Sequence, residues 1–141
     1  MVASGLLILD ADAYRTSFTG SFDGIFDGKT IVSEGNFRLN NISNDYSMIG
    51  EIETTSIDPL NPHCKKLSGY IILNQNQTDI NLDFSAKLCE YGLLSYVIGT
   101  FDVIDSTGNF DIESGEGRIN FITDYHNNNM FGNLQGSVRL Q

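Results

Sequence analysis

The last third of the chain, Tyr96 to Leu140, decides the fold and reads YVIGTFDVIDSTGNFDIESGEGRINFITDYHNNNMFGNLQGSVRL. It contains extended runs separated by a glycine-punctuated corner, which comprises STGNF at 106–110 and SGEG at 114–117. Glycine adopts backbone conformations that other residues avoid, so this corner predicts a sharp change of chain direction. The runs on either side of the corner are therefore expected to be strands.

The closing run, Met130–Leu140, alternates between apolar or small residues and polar ones. One face carries Met130, Gly132, Leu134, Gly136, Val138 and Leu140. A period of two residues is the pattern of a β-strand with one buried face. We expect Arg118–Tyr125 to pair with this strand across a turn at His126–Asn129, because asparagine tolerates turn conformations.

The same alternation begins near the start of the chain. From Tyr14 to Phe26, one face carries Tyr14, Thr16, Phe18, Gly20, Phe22, Gly24 and Phe26. Asp27-Gly28 then supplies a hairpin turn. Further strands are expected over 30–40, 46–57, 67–74, 78–88 and 93–104, with an Asn-rich loop at 40–45 and a Pro-bearing connection at 58–63.

These patterns predict an all-β protein with about eight strands, short connections and no helix, which is the usual size of a small up-and-down barrel. We therefore expect one antiparallel barrel, with residues 1–141 forming a single domain. The net charge of −10 argues against a nucleic-acid partner, because phosphate binding needs clustered Lys and Arg. No apolar run is long enough to cross a membrane, so the chain is not expected to span one.

Cys64 and Cys89 flank the two predicted strands at 67–74 and 78–88. If those strands pair as a hairpin, the two cysteines lie close together at its open end. A disulfide would close a loop of 25 residues (89 − 64), which contributes about 3 kcal/mol on the chain-entropy model. Two free thiols in a cytosolic protein are the alternative. The disulfide favours an extracellular or periplasmic location, that is, a secreted protein.

The corner resembles a signature of a known family. Val103–Gly117 reads VIDSTGNFDIESGEG and is similar to the V-x-G-G-T/S-G-x-F-x-x-A/V-x-G corner of allene oxide cyclase-like barrels, which include the dirigent-like proteins. Ser106 stands at one of the paired glycines of that pattern. The resemblance covers Tyr96–Leu140. It implies an eight-stranded barrel of the calycin type with an apolar cavity, commonly trimeric and working without a cofactor. No catalytic residue carries over with the corner.

The inward aromatic face supplies the candidate ligand-binding residues. They share an expected position inside the barrel and a large apolar side chain: Tyr14, Phe18, Phe22, Phe37, Met48, Phe84 and Phe121. Such residues either form a packed core or line a cavity for a small apolar ligand. The chain has no Trp, so it lacks the first-strand Gly-x-Trp of lipocalins.

Glu34 and Arg38 are the candidate catalytic residues. They share one strand face with Asn36, and Glu51 and Glu53 follow on the next predicted strand. Facing inward, they would form an acid–base patch; facing outward, they are a cross-strand charge ladder, which the aromatic opposite face favours. No spacing typical of a metal site occurs, so no metal is expected.

Three functions therefore compete at the level of sequence. The first is a secreted barrel that binds a small apolar molecule in its interior. The second is a structural or adhesive extracellular module with a packed barrel and no ligand, in which case a homo-oligomer or filament is expected. The third, implied by the resemblance, is a cofactor-free cyclase or isomerase.

Overall fold

The computed structural model describes residues 15–108 and 111–141, and within these ranges every regular element is a β-strand. The eight strands are β1 (Arg15–Phe26), β2 (Thr30–Leu39), β3 (Ile42–Ile57), β4 (Cys64–Gln75), β5 (Thr78–Tyr91), β6 (Leu94–Thr107), β7 (Ile112–Asp124) and β8 (Asn129–Leu140). No helix long and apolar enough to cross a membrane occurs in the part of the chain that the structure describes.

The strands form one closed barrel in which each is antiparallel to its neighbours in the chain, and β8 closes on β1. The pairing is staggered. A row of partners that leaves β5 at Asn81 passes through β4, β3, β2, β1, β8, β7 and β6 and returns to β5 at Tyr91, ten residues further on (91 − 81). Such a stagger tilts the strands relative to the barrel axis. The predicted all-β antiparallel barrel is confirmed.

Alternation sends one face of every strand into the interior. In β1, Phe18, Phe22 and Phe26 are buried, whereas Ser21 and Asp23 are exposed. The buried apolar residues of all eight strands form a single hydrophobic core. The period-two pattern of the sequence therefore identified the inner face correctly.

The second half of the predicted corner, 114–117, is part of a strand, so that prediction was wrong. Gly115 and Gly117 lie within β7, where Gly117 pairs with Gly136 of β8. A Cβ on Gly117 would lie 2.4 Å from the Gln135 carbonyl oxygen and 2.8 Å from the Phe101 ring. Glycine is needed there because backbone and ring approach closely. Gly108, with φ +94°, marks the turn itself; Asn109 and Phe110 lie outside the described residues.

The β2–β3 hairpin is tighter than the sequence suggested. The loop expected at 40–45 is a two-residue turn, in which Asn40 and Asn41 have φ of 53° and 65°. Positive φ at both positions matches the right-handed twist of the flanking strands, so β3 begins at Ile42. At the β1–β2 turn, the Asp27 carboxylate accepts hydrogen bonds from the backbone N–H of Thr30 (2.7 Å) and Lys29 (2.9 Å).

Cys64 and Cys89 form the predicted disulfide. They lie inside β4 and β5 rather than beyond them, as a directly paired cross-strand couple with a Cα–Cα distance of 4.1 Å. The Pro-bearing connection folds beside them, because the Cys64 N–H donates to the Asn61 carbonyl and the Glu90 N–H to the His63 carbonyl. The disulfide therefore fixes the open end of the β4–β5 hairpin.

Candidate functional site

The predicted ligand-binding residues lie together in the interior, with the exception of Tyr14, which lies outside the described residues. Phe18, Phe22, Phe37, Met48, Phe84 and Phe121 are each at most 3% exposed and belong to the one core. The structure therefore brings these six residues together inside the barrel. Whether they bind a ligand stays a prediction.

Ring contacts across the barrel show how this interior is filled. Phe121 of β7 lies edge-on against Phe22 and Phe26 of β1, and stacks on Phe84 of β5 at a centroid distance of 6.4 Å. Strands β1 and β5 are four positions apart in a ring of eight, so they lie on opposite sides. One side chain therefore bridges the full width of the barrel, as in a packed core.

Three buried hydroxyls lie on one inner layer without a described hydrogen-bond partner: Ser33, Ser95 and Thr123. Their strands are connected through the register, because Ser33 pairs with Gly24, Gly24 with Met130, Met130 with Thr123, and Thr123 with Ser95. A buried hydroxyl normally finds a protein or water partner. This layer is thus the most polar part of the described interior.

Tyr46 contributes a fourth buried hydroxyl without a described partner, on β3. Its ring lies edge-on against Phe37 at a centroid distance of 5.7 Å. Burial raises the pKa of its phenol above the ordinary value, because the charged phenolate loses hydration. Tyr46 therefore stays a neutral core residue.

Glu34 and Arg38 are exposed on the outer face of β2. Glu34 pairs with Asp23 and Ser47, and Arg38 with Thr19 and Ser43, in the outer rows of the sheet. The outward orientation that the sequence favoured is confirmed. Their side chains are separated from the interior by the sheet, and a catalytic role for them stays a prediction.

Sequence reasoning missed an apolar row on the outer face of β1–β4. Ile25 pairs with Val32, Val32 with Ile49, and Ile49 with Ile72. Ile25, Val32 and Ile49 are 53%, 56% and 49% exposed, and Ile72 is half-buried. Each of these residues is visible in the sequence as a single apolar residue on an otherwise polar strand face. Only the register of the paired strands shows that they are neighbours. We call these four residues the aliphatic row.

A second outer apolar surface lies on β6–β8. Tyr96, Ile122 and Phe131 form a directly paired row, and Ile98 lies beside it on β6. Tyr96, Ile98 and Phe131 are exposed and Ile122 is half-buried. A shallow cavity of about 300 Å³ opens among these residues. We call these four residues the aromatic patch.

The remaining polar candidates are histidine, cysteine and acidic side chains. Among the described residues, no three or more His, Cys, Asp or Glu side chains are placed to hold a metal ion. His63 and His126 lie in exposed connections, and Cys64 is in the disulfide. The outer face of the barrel, rather than a constellation of reactive groups, is thus the candidate functional region.

Comparison of the chain with protein-family models, with curated proteins and with solved structures gives no match. The resemblance to allene oxide cyclase-like barrels accordingly stays a prediction.

Proposed function

We propose that this protein is a secreted structural or adhesive module that assembles with further copies of itself through the outer face of its barrel. The observation that carries the proposal is the aliphatic row, in which apolar side chains lie on the outer face of four consecutive strands and are exposed on three of them. Contiguous exposed apolar surface on a soluble domain commonly marks an interaction site. The disulfide supports an oxidising compartment.

A second copy is the occupant that the geometry favours, because each molecule carries both halves of a contact. The aliphatic row is a ridge centred on β2 and β3, and the aromatic patch surrounds a shallow cavity centred on β7. β3 and β7 lie on opposite sides of the ring of eight strands. A ridge that docks into a cavity elsewhere on an identical molecule gives a head-to-tail assembly, either a ring or a filament.

The size of the two surfaces is suitable for such a contact. Each exposes apolar area on the order of 300 Å², the size of the largest apolar patch on a typical monomer, which is often functional. In a contact of one row with one patch, each partner contributes that area, and a polar rim supplies the rest of the roughly 800 Å² per partner of a standard interface. Assembly by strand addition is not available to the described barrel, since a closed sheet has no free edge.

Sedimentation velocity over a range of protein concentrations tests the proposal. The variant Ile49→Lys places a charge at the centre of the aliphatic row, and Phe131→Lys does the same in the aromatic patch. Ser47→Lys and Gln135→Lys are matched controls, because each changes an exposed outward residue outside the proposed contact, two or four positions away on the same strand, with the same change in charge. We expect the first two variants to be monomeric and both controls to assemble.

A mixture of Ile49→Lys and Phe131→Lys distinguishes the type of contact. Each variant keeps one intact surface, so the mixture should form a heterodimer although neither variant assembles alone. A wild-type protein that is monomeric at all concentrations would overturn the proposal. Equal loss of assembly in Ser47→Lys and Ile49→Lys would also contradict it.

Binding of a small apolar molecule inside the barrel is the second candidate function. The layer of Ser33, Ser95 and Thr123 favours it, because a ligand that carries one polar group could supply the missing partners. Titration with a fluorescent lipid probe tests this candidate. Phe121→Ala is the positive control, since removal of the bridging ring opens an apolar cavity that can bind a small ligand. The packed module is supported if only Phe121→Ala binds; saturable wild-type binding supports the interior site.

A further inference from the structure

A groove crosses the outer face of β4, β5 and β6 between the two apolar surfaces, and it shares Ile98 with the aromatic patch. Its floor consists of Ser68, Ser85 and Thr100, which pair directly from strand to strand. These side chains are short, and longer residues occupy the row on each side of them. The register of three small hydroxyl residues therefore creates a depression that runs perpendicular to the strands.

The two walls of the groove are also cross-strand rows. One wall is Tyr70, Asp83 and Asp102, and the other is Lys66, Lys87 and Ile98. The part beside the acidic wall has a volume of about 440 Å³, and the part beside the other wall about 670 Å³. Ser68, Ser85 and Thr100 line both parts, so they form one trough. The volume of each part lies in the range of ligand sites.

The acidic wall presents hydrogen-bond acceptors that the described protein leaves unused. Asp83 and Asp102 lie directly opposite each other, an arrangement of like charges that is unfavourable by itself. Neither carboxylate takes part in an ion pair among the described residues. A ligand that donates hydrogen bonds to both would offset this cost, because charge-assisted hydrogen bonds are strong.

The other wall carries less free positive charge than its sequence suggests. The Lys87 ammonium lies 3.2 Å from the Asp58 carboxylate, which partly neutralises it. Hydrogen bonds from the Leu60 N–H and from Lys87 hold the pKa of Asp58 below its ordinary value. Three cationic residues line the groove (Lys66, Lys87 and Arg118), and three anionic residues balance them (Asp58, Asp83 and Asp102). The groove therefore has no strong preference for an anion, and the net charge of −10 of the whole chain disfavours one.

We propose that this groove binds a neutral oligosaccharide. Sugar hydroxyls donate to carboxylates and exchange hydrogen bonds with Ser and Thr hydroxyls, while the apolar face of a sugar ring packs on an exposed aromatic ring such as Tyr70. Successive floor hydroxyls are about 4.8 Å apart, the spacing between strands, so an extended chain can contact each in turn. The outer strands of other small barrels also bind oligosaccharides. An extended peptide is less suited, because the closed sheet offers it no backbone partners.

This assignment rests on the proposed role outside the cytoplasm as an adhesive module, since it names what the module adheres to. The test uses linear neutral hexasaccharides of glucose, mannose, xylose and N-acetylglucosamine as separate probes. Binding is followed by amide chemical shifts in two-dimensional NMR, with a sulfated hexasaccharide as the charged comparison. We expect at least one neutral probe to shift the amides of residues 68–70, 83–85 and 100–102, with an affinity independent of salt.

Variants then test the groove itself. Ser85→Arg fills the floor and should abolish binding, and Tyr70→Ala should weaken it by about tenfold through loss of the stacking ring. Ser21→Arg is the matched control on the outer face of β1 and should bind like the wild type. Circular dichroism verifies that each variant is folded. Asp102→Asn removes one charge of the acidic wall, and this substitution should also weaken binding.

Two results would overturn the proposal: no saturable shift with any neutral probe, or binding that Ser85→Arg and Tyr70→Ala leave unchanged. Binding of the sulfated probe alone would also overturn it, because the ligand would then be anionic. The NMR titration with neutral hexasaccharides, repeated on Ile49→Lys, separates this proposal from self-assembly. Sugar binding that persists in monomeric Ile49→Lys shows that the groove acts independently of self-assembly. A wild type that stays monomeric but binds sugar would refute self-assembly alone, and a wild type that assembles without binding sugar would refute the groove alone.

Discussion

At the scale of single residues, the inner layer of Ser33, Ser95 and Thr123 differs from the rest of the core because it contains buried hydroxyl groups. The neighbouring inward positions are occupied by Phe, Leu, Ile and Met side chains without polar atoms that need partners. A buried hydroxyl without a partner costs roughly 1–3 kcal/mol, whereas replacement by an apolar group of the same shape can be neutral or stabilising. The change in stability when one of these hydroxyls is removed therefore shows whether water or a ligand in the interior satisfies it.

Thr123→Val removes the hydroxyl and keeps the shape of the side chain. Because Thr123 is fully buried and its hydroxyl has no described partner, we expect the free energy of unfolding to be unchanged or higher by up to about 1 kcal/mol. Urea unfolding measures this change. Thr123→Ala is the control; it also leaves a cavity and should destabilise the protein. A loss of stability in Thr123→Val would show that water or a ligand satisfies the hydroxyl.

At the scale of elements, the sequence predicted the strands and their inner faces because both depend on local alternation. Phe18, Phe37 and Phe84 were assigned to the interior from period two alone, and all three are buried. The bounds of β7 were missed, since Gly115 and Gly117 look like turn residues in a single chain. A side chain at either glycine would meet β8, and it would also meet Val103 (from Gly115) or Phe101 (from Gly117) of β6, which only the pairing reveals. The cysteine pair was predictable because a hairpin fixes which residues meet.

The disulfide of the β4–β5 hairpin should contribute to the free energy of unfolding. The double variant Cys64→Ala with Cys89→Ala should keep the strand content but lose about 3 kcal/mol of unfolding free energy, because the unfolded chain is no longer constrained by a crosslink. Urea unfolding with and without a reducing agent measures the loss. The reducing agent should destabilise the wild type and leave the double variant unaffected. Equal stability of both proteins under oxidising conditions would contradict the expectation.

The hydrogen bonds of the β1–β2 turn should make the free energy of unfolding depend on pH. Hydrogen bonds from the N–H groups of Thr30 and Lys29 lower the pKa of Asp27 below its ordinary value of 3.8. A lowered folded-state pKa gives stability that is present above 3.8 and is lost as the pH falls through the lower folded value. We therefore expect Asp27→Asn to lose less stability than the wild type on going from neutral pH to below 3.8. Unfolding by urea at each pH measures the difference; parallel loss in both proteins would refute it.

At the scale of the whole molecule, the candidate surfaces could not be predicted from the sequence. The aliphatic row joins residues that are distant in the chain, such as Ile25 and Ile72, and depends on the register of four strands. The floor of the groove likewise needs Ser68, Ser85 and Thr100 to pair directly. Composition and alternation determine which face of a strand is outward, but they do not determine which outward residues become neighbours.

The charge of the whole molecule sets the conditions under which the apolar surfaces can meet. Each copy carries −10, so copies repel one another at low ionic strength even though their apolar surfaces attract. Salt screens this repulsion over about 10 Å at 0.1 M and leaves apolar burial largely intact. We therefore expect the association constant from sedimentation to rise with sodium chloride concentration. Phe131→Lys serves as the control, since it reduces the repulsion but removes the apolar contact, and it should stay monomeric at all salt concentrations. An assembly that weakens with added salt would mean that ion pairs, rather than the aliphatic row and the aromatic patch, hold the copies together.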